Sequence, residues 1–192
     1  METTGPMATD AADSLWATWA DVNDDGLLDL FVCNDQERNR LYIQKGNHVF
    51  VDKAEEFGVT GEKSEKTNFV AFGDLDRDGD LDMLVLRESG RSQLLVNPYA
   101  TGRNRFYLSV AIRPSKGAIG AKVYLVRPPD QIVGMQQVCR VEGYNRQTSR
   151  EAFFGVPSAG DYVVRAVLSN GDRPTERITI DPTRHNRLVL GK

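Results

Sequence analysis

Asp21-Val-Asn-Asp-Asp-Gly-Leu-Leu-Asp29 is repeated 53 residues later as Asp74-Leu-Asp-Arg-Asp-Gly-Asp-Leu-Asp82. Both segments place oxygen-bearing side chains at positions 1, 3, 5 and 9, with glycine at position 6. Calcium takes about six to eight oxygen ligands, and alternate residues of a tightly curved loop can supply several of them. The glycine permits the sharp backbone turn that such a loop requires. The duplicated pattern therefore predicts two calcium-binding loops.

The position of each residue in these loops predicts its role. We expect side-chain oxygens from positions 1, 3, 5 and 9, and a backbone carbonyl from position 7. The predicted ligands of the first loop are Asp21, Asn23, Asp25, Asp29 and the carbonyl of Leu27. Those of the second loop are Asp74, Asp76, Asp78, Asp82 and the carbonyl of Asp80. The alternative is a pair of solvated Asp-Gly turns, but the register is kept twice and favours metal binding.

The residues around both loops predict strands and argue against an EF-hand. An EF-hand loop ends in a bidentate glutamate at position 12, where this chain has Val32 and Val85. Short apolar runs flank each loop and are typical of buried strands. These runs are 15–20 and 28–32 around the first loop, and 68–73 and 81–85 around the second. Each unit is therefore a β-hairpin with a metal-binding turn.

Further strand-like segments follow each hairpin, at 39–44 and 48–51 in the first unit and at 92–97 in the second. A period near 50 residues with about four short strands per unit is typical of β-propeller blades. The chain resembles the FG-GAP/VCBS repeats of integrin-type propellers, including Phe72-Gly73 before the second loop. This resemblance implies a calcium-binding, non-enzymatic interaction module that is extracellular or periplasmic.

The last 90 residues predict a different all-β domain. Strand signals separated by Gly, Pro, Asn and Asp indicate a small β-sandwich or barrel. They lie at 105–112, 117–126, 136–141, 161–168, 177–180 and 187–190. This part resembles the ASPIC/UnbV domain, which follows FG-GAP repeats in cartilage acidic protein and its bacterial relatives. The resemblance rests on 118–121 (Ala-Ile-Gly-Ala), Gly143-Tyr144, 153–155 (Phe-Phe-Gly) and 169–171 (Ser-Asn-Gly).

These assignments predict an all-β chain in three parts. Residues 1–12 form a flexible tail, 13–102 hold two calcium-binding blade-like repeats of a partial propeller, and 103–192 form the ASPIC/UnbV-like domain. A closed propeller needs about four to eight blades. We therefore expect the repeats to be the end of a longer propeller, with the C-terminal domain on the open side. Alternatively, that domain alone covers the open blade edges, or chains self-associate through them.

Charge is divided unevenly between the two halves. Residues 1–102 contain 20 acidic and 9 basic residues, whereas residues 103–192 contain 7 acidic and 15 basic residues. Arg140, Arg146 and Arg150, with Tyr144 among them, could bind a polyanion such as a sulfated glycan. We favour the alternative of a solvated sheet face that balances the acidic repeats, and we do not expect nucleic acid as a partner.

Several other classes of protein are excluded by what the sequence lacks. No apolar run is long enough to span a membrane, and residues 1–12 do not show the pattern of a signal peptide. The spacing of Cys33, Cys139 and the two histidines does not match a zinc site. Both cysteines are expected in the core, with a disulfide between them as the open alternative. No catalytic motif is recognisable, so we do not expect an enzyme.

The combined prediction is a calcium-binding, non-enzymatic module of interaction or adhesion type, in which two Ca2+ ions are mainly structural. Its partner would be another protein or a glycan surface. Two alternatives remain open. One is an accessory protein of a bacterial biosynthetic pathway, as some bacterial relatives of the resembled family suggest. The other is polyanion or glycan binding by the basic C-terminal domain.

Overall fold

The computed structural model describes residues 5–76, 80–97, 106–113, 117–138, 151–181, 183 and 186–191. By contacts between Cα atoms, the chain divides into two compact units. The first unit comprises Met1–Val22 and Leu27–Thr101, and the second comprises Asn23–Gly26 and Gly102–Lys192. The described residues are mostly strands, which confirms the prediction of an all-β fold with blade-like sheets and a further β domain.

The first unit contains two antiparallel sheets, one for each sequence repeat. The first sheet has four strands in chain order and the second has three. The first sheet is built from β1 (Ser14–Ala20), β2 (Asp29–Asn34), β3 (Arg40–Gln44) and β4 (Phe50–Asp52), and the second from β5 (Thr67–Gly73), β6 (Asp82–Arg87) and β7 (Gln93–Leu95). The segment of the second repeat that corresponds to β4 at the 53-residue offset, 103–105, lies outside the described residues, and the sequence showed no clear strand signal there.

The two sheets are copies of one another at a constant offset. Strand β5 begins 53 residues after β1, and the same offset separates β6 from β2 and the first residue of β7 from that of β3. Even the irregularities repeat, because the β1–β2 pairing shifts between Ser14 and Trp16 and the β5–β6 pairing shifts between Thr67 and Phe69. The duplicated sequence therefore produces duplicated strand registers.

The two sheets pack differently. Strand β5 contacts both β1 and β2, and every residue of β2 is buried. In the equivalent strand β6, Leu84 is exposed on one face. The first sheet is therefore covered by the repeat that follows it, whereas one face of the second sheet remains open among the described residues.

Residues 6–10 are attached to the first sheet. A single helical turn, α1 (Pro6–Thr9), contacts β4. The Nε of Arg40 and the hydroxyl of Tyr42 both donate to the Asp10 Oδ2, at 3.0 and 2.8 Å. Burial alone would raise the pKa of Asp10, but these two hydrogen bonds and the Arg40 charge lower it below its usual value. Residues 5–12, from the predicted flexible tail, thus include an anchored carboxylate.

The second unit is a sandwich of two sheets. Its strands are β8 (Phe106–Ile112), β9 (Lys122–Arg127), β10 (Gln131–Gln137), β11 (Glu151–Val156), β12 (Gly160–Val167), β13 (Thr175–Ile180) and β14 (Arg187–Leu190). One sheet has the antiparallel order β10-β9-β12-β13, and the other has the order β11-β8-β14 with β14 parallel to β8. One core joins both sheets, with Leu108 and Phe154 from one and Leu125 and Val164 from the other.

Two strand predictions in this unit were wrong in extent. Residues 117–120 form a turn instead of the start of a strand, because Gly117 and Gly120 both have positive φ angles. Strand β10 ends at Gln137, so the strand predicted at 136–141 begins earlier, and residues 139–150 lie outside the described residues. Cys139 is among them, so its predicted burial and its pairing stay predictions, whereas Cys33 is buried in β2.

In the part of the chain that the structure describes, no helix is long and apolar enough to cross a membrane.

Candidate metal centre

The second loop brings three carboxylates together. Strand β5 ends at Gly73 and β6 begins at Asp82, so the loop joins two paired strands. One carboxylate oxygen from each of Asp74, Asp76 and Asp82 lies within 4.8 Å of the others. Three negative charges at this separation repel one another, and a bound cation would offset that cost. The donor set is purely oxygen, which suits a hard cation such as Ca2+.

Burial differs among these three residues in a way that suits a site at the protein surface. Asp82 is fully buried, Asp74 is half-buried and Asp76 is exposed. The predicted ligand Asp78 and the turn glycine Gly79 lie outside the described residues. Asp80, predicted to contribute only its carbonyl, is fully buried, side chain included. The acidic character of this loop therefore extends into the protein interior.

The last aspartate of each loop holds the hairpin together. In the second loop, the backbone N–H of Leu75 donates to Asp82 Oδ2 at 2.8 Å, and that of Asn97 donates to Oδ1 at 2.9 Å. A carboxylate oxygen carries two lone pairs, so accepting these bonds leaves capacity for a cation. Asp82 is therefore both a hairpin anchor and a candidate ligand.

The first loop is anchored in the same way. The backbone N–H of Val22 donates to Asp29 Oδ2 at 2.9 Å, and that of Gln44 donates to Oδ1 at 2.8 Å. Both donors precede their counterparts in the second loop by 53 residues. The repeat thus preserves the hydrogen bonds that shape the loop as well as its acidic residues.

Two amide side chains complete this framework, and sequence reasoning missed both. The Gln44 Nε2 donates to the Leu28 carbonyl at 2.8 Å, and the Asn97 Nδ2 donates to the Leu81 carbonyl at 3.1 Å. A signal was present in the sequence, because an amide residue follows the last aspartate of each loop by 15 residues. Leu81 is buried, whereas Leu28 is half-buried.

The tip of the first loop has the turn geometry that its sequence predicts. Gly26 has a φ of +86° and Asp24 a φ of +55°. The backbone N–H of Asp25 donates to the Asn23 Oδ1 at 3.0 Å, which is a local Asx turn. Asp24 itself is half-buried.

The first loop gathers fewer carboxylates than the second. Asp21 and Asp29 are buried, Asn23 and Leu27 are half-buried, and Asp25 is exposed. Within the described ranges, which include all nine residues of this loop, three acidic, histidine or cysteine ligands converge only in the second loop. One reason is chemical, because position 3 is an asparagine here and an aspartate there. The first calcium site thus stays a prediction from sequence.

The residues proposed for polyanion binding cannot be placed. Arg140, Tyr144, Arg146 and Arg150 all fall in the range 139–150, outside the described residues.

Comparison with known proteins supports the repeat assignment. A family model described as FG-GAP-like repeat matches residues 21–85, from the first aspartate of the first loop into β6. FG-GAP repeats are generally non-enzymatic, typically extracellular interaction modules and often bind Ca2+. No curated protein matches this chain at a significant level. The resemblance of residues 103–192 to the ASPIC/UnbV domain stays a prediction.

Proposed function

We propose that this protein is a calcium-binding interaction module of adhesion type, without enzymatic activity, in which calcium is mainly structural. The observation that carries the proposal is the convergence of Asp74, Asp76 and Asp82 within 4.8 Å. The match of residues 21–85 to an FG-GAP-like repeat supports it independently.

The proposed ligands follow the sequence repeat. Each of the two loops takes one Ca2+ through side chains at positions 1, 3, 5 and 9 and the carbonyl at position 7. These are Asp21, Asn23, Asp25, Leu27 and Asp29 in the first loop, and Asp74, Asp76, Asp78, Asp80 and Asp82 in the second. Calcium is preferred because the donors are hard oxygens and neither loop contains histidine or cysteine.

A structural role follows from what the loops connect. Each loop joins two paired strands. Its last aspartate already accepts one backbone N–H from the start of the loop and one from the residue at or after the end of the third strand. A cation that neutralises the remaining carboxylates would hold each hairpin turn closed and stabilise its sheet. Carboxylates committed to a cation are poor general bases, so this arrangement does not favour catalysis.

Thermal unfolding with and without calcium tests the proposal. We expect excess Ca2+ to raise the melting temperature relative to chelator, because an ion that binds only the folded state stabilises it by about 2.7 kcal/mol at 100 times its dissociation constant. The double substitution Asp74→Asn with Asp76→Asn should remove much of this gain. Asp13→Asn is the matched control, since Asp13 is exposed and lies outside both loops. Identical melting curves in chelator and millimolar calcium would contradict the proposal.

We propose that the partner is another protein or a glycan surface, and that the protein is extracellular or periplasmic. We also propose the division into a tail at residues 1–12, two repeats at 13–102 and a C-terminal domain at 103–192.

The excess of basic residues in 103–192 supports a second candidate function, the binding of a sulfated polyanion. Salt-dependent retention on heparin would support that function, and absence of retention at low salt would exclude it.

A further inference from the structure

Asn97 contacts both metal-binding loops. It lies just after β7 and is almost fully buried. Its backbone N–H and its side-chain amide bind the second loop at the Asp82 Oδ1 and the Leu81 carbonyl. The same side-chain nitrogen also donates to the carbonyl of Val22, in the first loop, at 2.8 Å.

These bonds form a continuous path between the two hairpin anchors. The peptide N–H of Val22 donates to Asp29 Oδ2 at 2.9 Å. The carbonyl of Val22 accepts from Asn97, and the N–H of Asn97 donates to Asp82 Oδ1 at 2.9 Å. Val22 and Asn97 thus connect Asp29 to Asp82, the last aspartates of the two loops. All four residues belong to the first unit.

Gln44 provides an internal reference for this arrangement. It occupies the equivalent position in the first repeat and makes the two equivalent bonds, to Asp29 and to the Leu28 carbonyl. The additional bond of Asn97 to Val22 extends from the second repeat back to the first. Asn97 therefore links the two repeats, in addition to holding the loop of its own repeat.

We propose that Asn97 is a positioning residue that couples calcium binding at the two loops, so that each ion favours the other. This proposal rests on the proposed function. An ion in the second loop fixes Asp82 and, through it, the orientation of Asn97. Asn97 then holds the carbonyl of Val22, directly after the first ligand position at Asp21. The first loop is thereby ordered in advance, and its ion bears less of the ordering entropy.

Calorimetric titration of the full chain with Ca2+ measures this coupling. Asp76→Ala disables the second site and Asp25→Ala the first, and both side chains are exposed, so neither change removes buried packing. The coupling factor is the product of the two association constants of the unmodified protein, divided by the product of the two single-site constants. We expect a factor of about 5 or more, the lower end of typical coupling between sites.

Substitutions at position 97 identify the residue responsible. Asn97→Ala removes both side-chain bonds, and we expect the factor to fall to about 1. Asn97→Leu keeps a side chain of similar size and the backbone bond to Asp82 but has no side-chain donor for either carbonyl, and we expect the same loss. For each substitution at position 97, all association constants are measured in proteins that carry that substitution. A general loss of calcium affinity therefore cancels in the coupling factor. Gln44→Ala is the matched control and should leave the factor unchanged.

The outcomes separate this proposal from the proposed function. If both sites bind calcium with a factor near 1 in the unmodified protein, the coupling is overturned while the proposed function stands. A factor that survives in both Asn97→Ala and Asn97→Leu also overturns the role of Asn97. If the protein binds no calcium, the proposed function and the coupling both fail.

Discussion

The two repeats of the first unit share a local structure but not an environment. Phe31 and Leu41 form a cross-strand pair in the first sheet and are 1% and 0% exposed. Their counterparts Leu84 and Leu94 form the same pair in the second sheet and are 36% and 59% exposed. The difference shows that the repeat encodes the hairpin, whereas the burial of a sheet face depends on what packs against it.

The metal-site loops of the two hairpins differ in the opposite way, because they share an environment but differ in their acidic side chains. Their environment is similar, since Asp29 and Asp82 are both fully buried and each accepts two backbone N–H donors. Their chemistry differs, since three carboxylates converge in the second loop only, among the described residues. One sequence pattern thus yields two equal frameworks with unequal acidic clusters.

The largest contrast between the repeats is expected from truncating the paired leucines. Leu41→Ala should lower the free energy of unfolding by about 2–5 kcal/mol, because it leaves a cavity in a buried face. Leu94→Ala should change it by less than about 0.5 kcal/mol, because that side chain is mostly exposed. Urea denaturation of both variants measures the difference. Equal losses would show that the second sheet face is covered in solution.

The loop anchors should instead respond alike. Asp29→Ala and Asp82→Ala each leave two backbone N–H groups without their acceptor, at a cost of about 1–3 kcal/mol for a buried group. We expect both to destabilise the calcium-free protein by about 2 kcal/mol or more in urea denaturation with chelator. Asn in place of either aspartate keeps one acceptor oxygen and should be milder. A large loss for only one of the two would refute the equivalence of the frameworks.

A smaller effect is expected from Asp10, whose contacts exist in the first repeat alone. The positions equivalent to Arg40 and Tyr42 are Gln93 and Leu95 in the second repeat. Asp10→Asn removes a charged acceptor from Arg40 and Tyr42 and should cost about 1 kcal/mol at neutral pH.

The pH dependence of that effect follows from the lowered pKa of Asp10. The carboxylate stabilises the fold fully above its unfolded pKa of about 3.9, and this contribution is lost as the pH falls through the lower folded pKa. The stabilities of the unmodified protein and Asp10→Asn should therefore converge in acid. Denaturation curves from pH 7 to pH 2.5 measure this, and a constant difference would contradict it.

The sequence predicted most strands of the first unit because their signals are local. Apolar runs beside each loop fixed the hairpins to within one or two residues, and the repeat confirmed the register. In the second unit, no strand was predicted at β11, and the prediction at 136–141 covered only the last two residues of β10, which contains three glutamines and a glycine. Gly134 is there for space, since a Cβ would approach the Phe154 ring to 2.9 Å. That requirement arises between strands of different sheets and has no local pattern.

The convergence of Asp74, Asp76 and Asp82 was predictable because these three residues lie in one continuous segment. Gln44 and Asn97 were not recognised, because their shared spacing from the last aspartate does not by itself show which carbonyls accept from them. Their constant spacing from Asp29 and Asp82 becomes meaningful only when the third strand is seen to return to the loop.

By itself, the sequence determined the duplicated hairpins, the all-β class and the acidic loops, because each depends on residues close together in the chain. Tertiary structure decided which face of which sheet is buried and which carboxylates converge. It also decided that Asn97 joins Asp82 to Val22 across 75 residues of chain. The physical reason is that burial and hydrogen bonding depend on neighbours in space, and a repeated sequence receives different neighbours at each copy.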